Sequence, residues 1–201
     1  MTERLASSPE GINRAAELLA AGEPVAFPTD TVYGVGVSAT RPDRLEALFA
    51  LKERPLDRRI PLLVSSLIHV TEQGRKVDDR ARSLAERFWP GALTLVLPMA
   101  DGTTQAFRAP DHPVALALIE AAGPIYATSA NISDQPDTLG ADEVLIAFAT
   151  KQDQLAAVVD GGAVPGGRAS TVLDLSVTPA RVLRPGPLAA EELASVIELA
   201  P

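Results

Sequence analysis

The stretch Pro28-Thr29-Asp30-Thr31-Val32-Tyr33-Gly34-Val35-Gly36 decides how the rest of the chain is interpreted. It follows an apolar run at residues 25–27, which indicates a buried strand. Three hydroxyl groups and one carboxylate crowd the exit of that strand, and two glycines, which permit close approach of a backbone to a ligand, come next. The strand is therefore expected to end in a polar, glycine-containing turn, which is where open α/β sheets bind their ligands. The alternative is a plain turn whose Asp and Thr side chains bond their own backbone.

The composition fits one ordinary domain. The chain has 201 residues, 46% of them hydrophobic, which is enough to bury a core. It contains no cysteine, which excludes disulfides, thiolate metal sites and a cysteine nucleophile and suits a reducing compartment. The first residues lack an apolar signal core and no apolar run reaches membrane-spanning length, so we expect a cytoplasmic protein that does not contact a membrane.

The charge distribution favours anionic small molecules over nucleic acid. The formal net charge is −8, from 26 acidic and 18 basic side chains. Such a total disfavours a dedicated nucleic-acid-binding protein, whose binding face is normally basic. Four cations nevertheless fall within eight positions, namely Lys52, Arg54, Arg58 and Arg59. A cleft of this sign would steer an anionic substrate toward itself.

Apolar periodicity, helix caps and breakers predict interleaved helices and strands. We expect helices at residues 8–22, 42–52, 77–88, 112–122, 141–150 and 191–199, and strands at 25–27, 60–64, 93–97, 107–109, 125–127, 156–159, 171–175 and 181–183. No linker long enough to separate two domains interrupts them. The prediction for residues 1–201 is therefore a single α/β (α+β) domain on a twisted, open mixed sheet flanked by helices. Its motif-bearing core covers about residues 8–188, with a C-terminal helix within 189–201.

Two further segments bring cations to the ends of predicted elements. Lys52 and Arg54 end the second helix, where they either face a cleft or simply complement the helix dipole. Arg108 ends a strand and suits a carboxylate partner, while His112 is either a general base or the cap of the next helix. Thr94 is the one residue of the segment 88–97 that can point toward a ligand.

Three later segments add hydroxyl, amide and glycine-rich loops. Ser129 and Asn131 follow a strand and either bind a phosphate or a nucleobase edge or cap a helix. Four glycines precede Ser170, which is typical of a loop that moves or wraps a ligand, and Arg184 ends the last strand. No Walker loop, zinc-protease motif or serine-hydrolase elbow is present. This inventory suits phosphate- and carboxylate-bearing substrates, whose chemistry is promoted by positioning and charge stabilisation.

Seven of these segments, in this order, resemble the motifs of the YrdC/Sua5 family. They are Phe27-Pro28-Thr29-Asp30-Thr31-Val32-Tyr33-Gly34, Lys52-x-Arg54-Pro55, Phe88-Trp89-Pro90-Gly91 with Leu93-Thr94-Leu95, Arg108-x-Pro110-x-His112-Pro113, Ser129-Ala130-Asn131-x-Ser133, Asp160-Gly161-Gly162 with Ser170-Thr171-Val172, and Leu183-Arg184-Pro185-Gly186. The resemblance implies a YrdC-like fold with a concave basic cleft. It also implies an L-threonylcarbamoyladenylate synthase, a nucleotidyltransferase that condenses L-threonine, bicarbonate and ATP and releases pyrophosphate. The product would serve a downstream transferase complex that makes threonylcarbamoyladenosine in tRNA.

The resemblance implies a role for each matching residue. The threonine would contact Thr29, Thr31, Arg108 and Ser170, and the nucleotide would contact Lys52, Arg54, Ser129, Asn131 and Arg184. Lys52 and Arg54 would also be catalytic, because they would neutralise phosphate charge as the adenylate forms. Mg²⁺ would accompany the ATP phosphates, with no metal ligand from the protein. We expect alanine at Lys52 or Arg54 to abolish adenylate formation and to leave the fold intact, since both would sit at an exposed helix end.

Three departures from the family pattern and two alternatives accompany this interpretation. Asp30 stands where many members carry Glu. Residues 60–65 lack the histidine that some members place there. The chain ends soon after Gly186, and this predicts a short form without an additional C-terminal domain. One alternative is a double-stranded RNA or ribosome-associated binding module without catalysis, although weak tRNA or duplex RNA contact is also compatible with the synthase. The other is a carbamoyltransferase domain of the hydrogenase-maturation type, which normally sits in a much larger chain.

Overall fold

The computed structural model describes residues 1–53, 55, 59–72, 77–166 and 168–200. The strands of this described part are Glu3–Ala6 (β1), Val25–Pro28 (β2), Tyr33–Ser38 (β3), Leu62–Leu63 (β4), Leu93–Pro98 (β5), Thr104–Arg108 (β6), Ile125–Ser129 (β7), Ala157–Asp160 (β8), Thr171–Asp174 (β9) and Arg181–Arg184 (β10). They form one sheet in the order β1-β8-β2-β3-β7-β4-β6-β5-β9-β10. The sheet is open and mixed, because β8 and β9 join their neighbours β2 and β5 in parallel while β3 pairs with both β2 and β7 in antiparallel fashion.

The helices of the described part are Pro9–Ala20 (α1), Leu45–Lys52 (α2), Leu67–Glu72 (α3), Asp79–Phe88 (α4), Pro113–Ala122 (α5), Ala141–Ala147 (α6) and Ala190–Ala194 (α7). Their starts follow local capping chemistry. Ser8 accepts a hydrogen bond from the Gly11 N–H at the start of α1, and Asp78 accepts one from the Ala81 N–H at the start of α4. No helix within the described ranges is both long and apolar enough to cross a lipid bilayer.

Side chains that alternate along the strands divide the core between the two faces of the sheet. On one face, α1 and α5 cover β2, β7 and β8 with residues such as Leu19, Leu118 and Ile119. On the other face, α2 and α6 cover β2, β3 and β8, and α4 and α7 cover β5, β6 and β9. Among the described residues, no helix packs over β5, β6 and β9 on the first face. The cleft lies on this uncovered surface.

The predicted α/β domain on an open mixed sheet flanked by helices is confirmed. Three local predictions differ from the structure. Strand β1 and helix α3 were not predicted, and residues 33–36, interpreted as a glycine-containing turn, belong to strand β3. The interpretation as a turn was wrong because β3 is held on both sides by neighbouring strands, which the local sequence does not reveal.

The C-terminal helix is shorter than predicted. Helix α7 ends at Ala194, and the chain then bonds to the start of β10, where Ala180 donates to the Glu198 carbonyl at 3.2 Å and accepts from the Ala200 N–H at 2.7 Å. These tertiary bonds replace the helical ones that apolar periodicity alone would predict. Pro61 in the predicted strand 60–64 indicates either an edge strand or a strand that begins late. Strand β4 begins after Pro61 and lies between β7 and β6, so the second alternative is confirmed.

Candidate active site

A cleft of about 370 Å³ lies on the sheet surface that the helices leave open. Its floor consists of residues that alternate with core residues along each strand. Thr94 and Val96 line the cleft, for example, while Leu93, Leu95 and Leu97 face the core on the other side. Six predicted site residues line this cleft, namely Thr29, Thr31, Arg108, Ser129, Ser170 and Arg184. The sequence segments that supply them are far apart along the chain, and the sheet order brings them together.

Arg108 is the most restrained side chain of the cleft. It is 7% exposed, and its guanidinium donates to the Gly91 carbonyl at 3.0 Å, to Thr31 Oγ1 at 3.0 Å and to Asp30 Oδ1 at 2.6 Å. Burial lowers the pKa of Arg108, an effect that the adjacent Asp30 carboxylate opposes. An arginine begins so far above neutral pH that it stays charged, so Arg108 presents a fixed positive charge to the cleft.

Asp30 connects this arginine to the loop that precedes α5. The same oxygen that accepts from Arg108 also accepts from the backbone N–H of Asp111 at 3.1 Å. The Arg108–Asp30 pair is largely shielded from water, with side chains 9% and 16% exposed. Sequence reasoning placed Asp30 in the central motif but did not include it among the site residues, and its role follows from this contact.

Thr29 both forms a turn and lines the cleft, so the two interpretations of the stretch 28–36 both apply to it. Its hydroxyl donates to the Val32 carbonyl at 2.6 Å and accepts from the N–H groups of Thr31 and Val32 at 3.3 Å, which is the turn-forming behaviour of a threonine. It also lies 3.1 Å from the Thr31 hydroxyl, and both threonines line the cleft. The turn therefore presents two adjacent hydroxyl groups beside Arg108.

Ser170, Arg184 and Thr94 form a second group of contacting residues in the cleft. The parallel pairing of β5 with β9 brings Ser170 Oγ within 2.7 Å of Thr94 Oγ1. Arg184 donates from Nε and Nη2 to the Ser170 carbonyl at 3.1 and 2.9 Å. Burial lowers the pKa of Arg184, and Asp137 opposes this effect, but the guanidinium remains charged. A second cation is thereby held at the rim of the cleft.

Lys52 and Asn131 lie directly behind the cleft residue Ser129. The Lys52 ammonium donates to the carbonyl of Ser129 and, at 2.9 Å each, to the carbonyl and to Oδ1 of Asn131. Lys52 is only 1% exposed, so the expectation of an exposed lysine at the helix end was wrong. The reason is that residues 129–131 fold over the end of α2 and enclose its last side chain. Arg54, the other predicted catalytic residue, lies outside the described residues.

Sequence reasoning missed three polar side chains that line the cleft. Arg59 contributes a third cation and donates to the carbonyl and to Oγ1 of Thr104, the latter at 2.6 Å. Thr128 directly precedes the motif that begins at Ser129, and Arg59 belongs to the cationic cluster at residues 52–59, so a local signal existed for both. Thr104 had no such signal, because it begins the strand β6 in a stretch that resembles an ordinary turn.

His112 is the cap of α5, as one of its two interpretations predicted. Its Nδ1 accepts from the Val114 N–H at 3.3 Å. Burial lowers the pKa of His112 despite the nearby carboxylates of Asp30 and Asp111, which favours the neutral ring that such a cap requires.

Across the described ranges, no group of three or more His, Asp or Glu side chains is placed to hold a metal ion. The cleft thus offers cations and hydroxyl groups to an anionic ligand.

Comparison with known proteins relates this cleft to one family. A family model named for Sua5, YciO and YrdC, and described as "Telomere recombination", matches residues 17–186. A threonylcarbamoyl-AMP synthase of Bacillus subtilis is 38% identical over 98% of this chain and 59% of its own length. A threonylcarbamoyl-AMP synthase of Pyrococcus abyssi is 39% identical over 92% of this chain and 57% of its own length. The chain therefore spans less than two thirds of each of these relatives.

Solved structures agree with the sequence relationship. Sua5 of P. abyssi, in a crystal structure complexed with L-threonine, superposes with a TM-score of 0.90 and 36% identity over 100% of this chain and 63% of its own. YciO of Escherichia coli shares the fold with a TM-score of 0.85 at 23% identity, over 96% of this chain and 100% of its own. The resemblance that the seven motifs predicted is confirmed, and the chain belongs to the Sua5/YciO/YrdC family.

Proposed function

We propose that the protein is an L-threonylcarbamoyladenylate synthase, which condenses L-threonine, bicarbonate and ATP to threonylcarbamoyl-AMP and pyrophosphate. The observation that carries the proposal is one cleft that is lined by Arg59, Arg108 and Arg184 together with hydroxyl groups from five separate strands or turns. The printed names of the B. subtilis and P. abyssi relatives support the same activity. An acidic protein with a cationic cleft also suits an anionic nucleotide better than a polyanionic RNA surface.

The threonine end of the cleft is assigned to Arg108 and its neighbours. Three of the five N–H groups of Arg108 have partners among the described residues, so two N–H groups remain to bind a carboxylate. Thr29, Thr31 and Ser170 surround this position with hydroxyl groups that can hold the amino and hydroxyl groups of threonine. The complex of P. abyssi Sua5 with L-threonine supports L-threonine as the ligand for such a site.

The nucleotide end is assigned to Ser129, Asn131 and Arg184, together with Lys52 and Arg54. Lys52 contacts Ser129 and Asn131, so its charge acts on the cleft at short range and orients both residues. Mg²⁺ is proposed to enter with the ATP phosphates, because the described residues provide cations and hydroxyls rather than a cluster of carboxylates. The residues of the cleft would then offset the remaining phosphate charge.

The chemistry needs no nucleophilic side chain. The threonine amine bonds to the carbon of bicarbonate, with loss of water, and gives a carbamate. A carbamate oxygen then attacks the α-phosphorus of ATP, and the bond from that phosphorus to the departing pyrophosphate breaks. The arginines stabilise the charge that develops on pyrophosphate, and the hydroxyl groups hold the carbamate in line. We further propose that a tRNA-modifying transferase consumes the product, which fits a cytoplasmic location.

Release of pyrophosphate from ATP tests the proposal. We expect the purified protein to release pyrophosphate only when L-threonine and bicarbonate are both present, and we expect mass spectrometry to detect the threonylcarbamoyl adenylate. Omission of either substrate is the control for simple ATP hydrolysis. Absence of release, together with salt-sensitive binding of duplex RNA, would reject the synthase in favour of a binding module.

A further inference from the structure

Lys151 is a partly buried cation outside the cleft that contacts the end of helix α2. It follows α6 in a short 3-10 turn, Ala149–Lys151, and its side chain is 14% exposed. Its ammonium donates to the carbonyls of Ala50 and Leu51 at 3.0 Å each and lies 3.0 Å from Glu53 Oε1. One side chain therefore occupies the C-terminal end of α2 from a position 100 residues farther along the chain.

At the end of α2, the Ala50 carbonyl also accepts from the Glu53 N–H at 3.3 Å, so Lys151 supplements this bond and adds one to Leu51. The last carbonyls of a helix have no partner within the helix, and a glycine in the left-handed region usually completes the turn. Here the left-handed position is Glu53, with φ 53° and ψ 38°, which is less favourable for a residue with a side chain. Lys151 supplies both the hydrogen bonds and the positive charge that stabilise a helix C-terminus.

The same helix end carries Lys52. The Lys52 carbonyl accepts from the Ser133 N–H at 2.9 Å, while its ammonium holds the carbonyl of Ser129 and two oxygens of Asn131. The last turn of α2 is thus clamped between Lys151 on one side and residues 129–133 on the other. A shift of this turn would move the predicted nucleotide-binding residues Ser129 and Asn131 with it.

We propose that Lys151 is a positioning residue for the nucleotide end of the cleft. It fixes the last turn of α2 and so sets the place of Lys52 against Ser129 and Asn131. This inference rests on the proposed function, since it concerns the affinity of that same cleft for ATP. The threonine end, built around Arg108, shares no contact with Lys151 among the described residues and keeps its geometry without it.

Three variants test the inference. Lys151→Met removes the charge and the donors but keeps the length of the side chain, and Lys151→Arg restores both. Arg80→Met is the matched control. Like Lys151, Arg80 donates to two backbone carbonyls, those of Leu175 and Val177, and it pairs with Asp78. These contacts lie away from the cleft. We expect Lys151→Met to raise the Kd for ATP in calorimetric titration by about tenfold, the size of effect that a cation at a partly buried helix C-terminus can have.

A comparison of the KM values for ATP and for L-threonine distinguishes a positioning role of Lys151 from a general effect on protein stability. In pyrophosphate-release kinetics, the KM for ATP should rise in Lys151→Met while the KM for L-threonine stays near that of the parent, and Lys151→Arg should recover most of the loss. Arg80→Met should lower the melting temperature and leave both KM values unchanged. If Lys151→Met does not fold, Lys151→Gln, which keeps a shorter donor, takes its place in the same measurements.

The experiments distinguish failure of the positioning role of Lys151 from failure of the proposed synthase activity. ATP binding that weakens equally in Lys151→Met and Arg80→Met, or equal rises in both KM values, would overturn the positioning role and leave the synthase activity standing. ATP binding without turnover in the parent would reject the proposed synthase, and the Kd values of the variants would still decide the role of Lys151. A parent protein that does not bind ATP would overturn both.

Discussion

Asp30 is the residue on which the threonine end of the cleft is expected to depend most. Without its carboxylate, the buried guanidinium of Arg108 would lose the charged partner that holds Nη2 at 2.6 Å. We therefore predict that Asp30→Asn raises the KM for L-threonine about tenfold, because a hydrogen bond between charged groups contributes about 1.5–3 kcal/mol. The KM for ATP should change little, and steady-state pyrophosphate release measures both.

Asp30→Glu is the control for this prediction. It keeps the negative charge and lengthens the reach, so we expect it to retain most of the affinity for threonine. A rise of the same size in both KM values for Asp30→Asn would contradict a specific effect on Arg108. It would indicate instead that the loop at Asp111, which also donates to Asp30, had been displaced.

Lys52 should contribute to stability as well as to activity. Its replacement by methionine would leave the buried carbonyls of Ser129 and Asn131 without their ammonium donor. Because an unsatisfied buried polar group costs about 1–3 kcal/mol, we predict a loss of about 2–4 kcal/mol in the free energy of unfolding, together with loss of turnover. Urea denaturation measures the former. An unchanged free energy of unfolding in Lys52→Met would show that the contacts of Lys52 with Ser129 and Asn131 do not stabilise the protein in solution.

The sequence allowed most of the polar cleft residues to be predicted, but not how they are used. Thr29, Ser129 and Arg184 were found because polar side chains at strand ends are typical of ligand sites in open sheets. The burial of Lys52 was not predictable in this way. It depends on residues 77 and 79 positions away, whose approach is set by the fold and not by the local pattern.

At the scale of elements, strand β3 illustrates what a glycine can mean. Gly36 lies in this strand, and a Cβ there would approach Ile125 Cγ2 and the Tyr126 carbonyl to 2.6 Å. We predict that Gly36→Ala lowers the free energy of unfolding by about 1–3 kcal/mol, the usual cost of overpacking a core. Thermal or urea denaturation measures this loss.

Gly34 provides the matched control in the same strand. A Cβ there would meet its nearest neighbour, the Thr128 carbonyl, at 3.5 Å, which is ordinary contact. Gly34→Ala should therefore keep the stability of the parent protein. Equal destabilisation by both alanines would mean that strand conformation, rather than the close approach to β7, decides the effect. Sequence reasoning assigned both glycines to a turn, because only the pairing of β3 with β7 distinguishes a closely packed strand glycine from a turn glycine.

At the scale of the whole molecule, the site exists because of the sheet order. Strand β9 lies beside β5, and this places Ser170 next to Thr94 although 76 positions separate them. Alternating helices and strands were sufficient to predict an α/β sheet, since their periodicities are local. The order of ten strands is a matter of long-range pairing, and so is the surface that the helices leave uncovered.

The charge of the molecule gives the last prediction. The net charge is −8, yet the cleft is lined by Arg59, Arg108 and Arg184, so ATP as the proposed substrate would be attracted by a local positive field within a repulsive surrounding. Added salt shortens the range of that field, from about 30 Å at 0.01 M to about 8 Å at 0.15 M. We predict that kcat/KM for ATP falls by about threefold or more over this range, whereas kcat/KM for L-threonine, a zwitterion without net charge, changes little. Arg184→Gln should reduce the slope for ATP because it removes one of the attracting charges. An equal fall for both substrates would indicate that salt acts on the fold or on the chemical step, and that the cationic cleft does not steer the nucleotide.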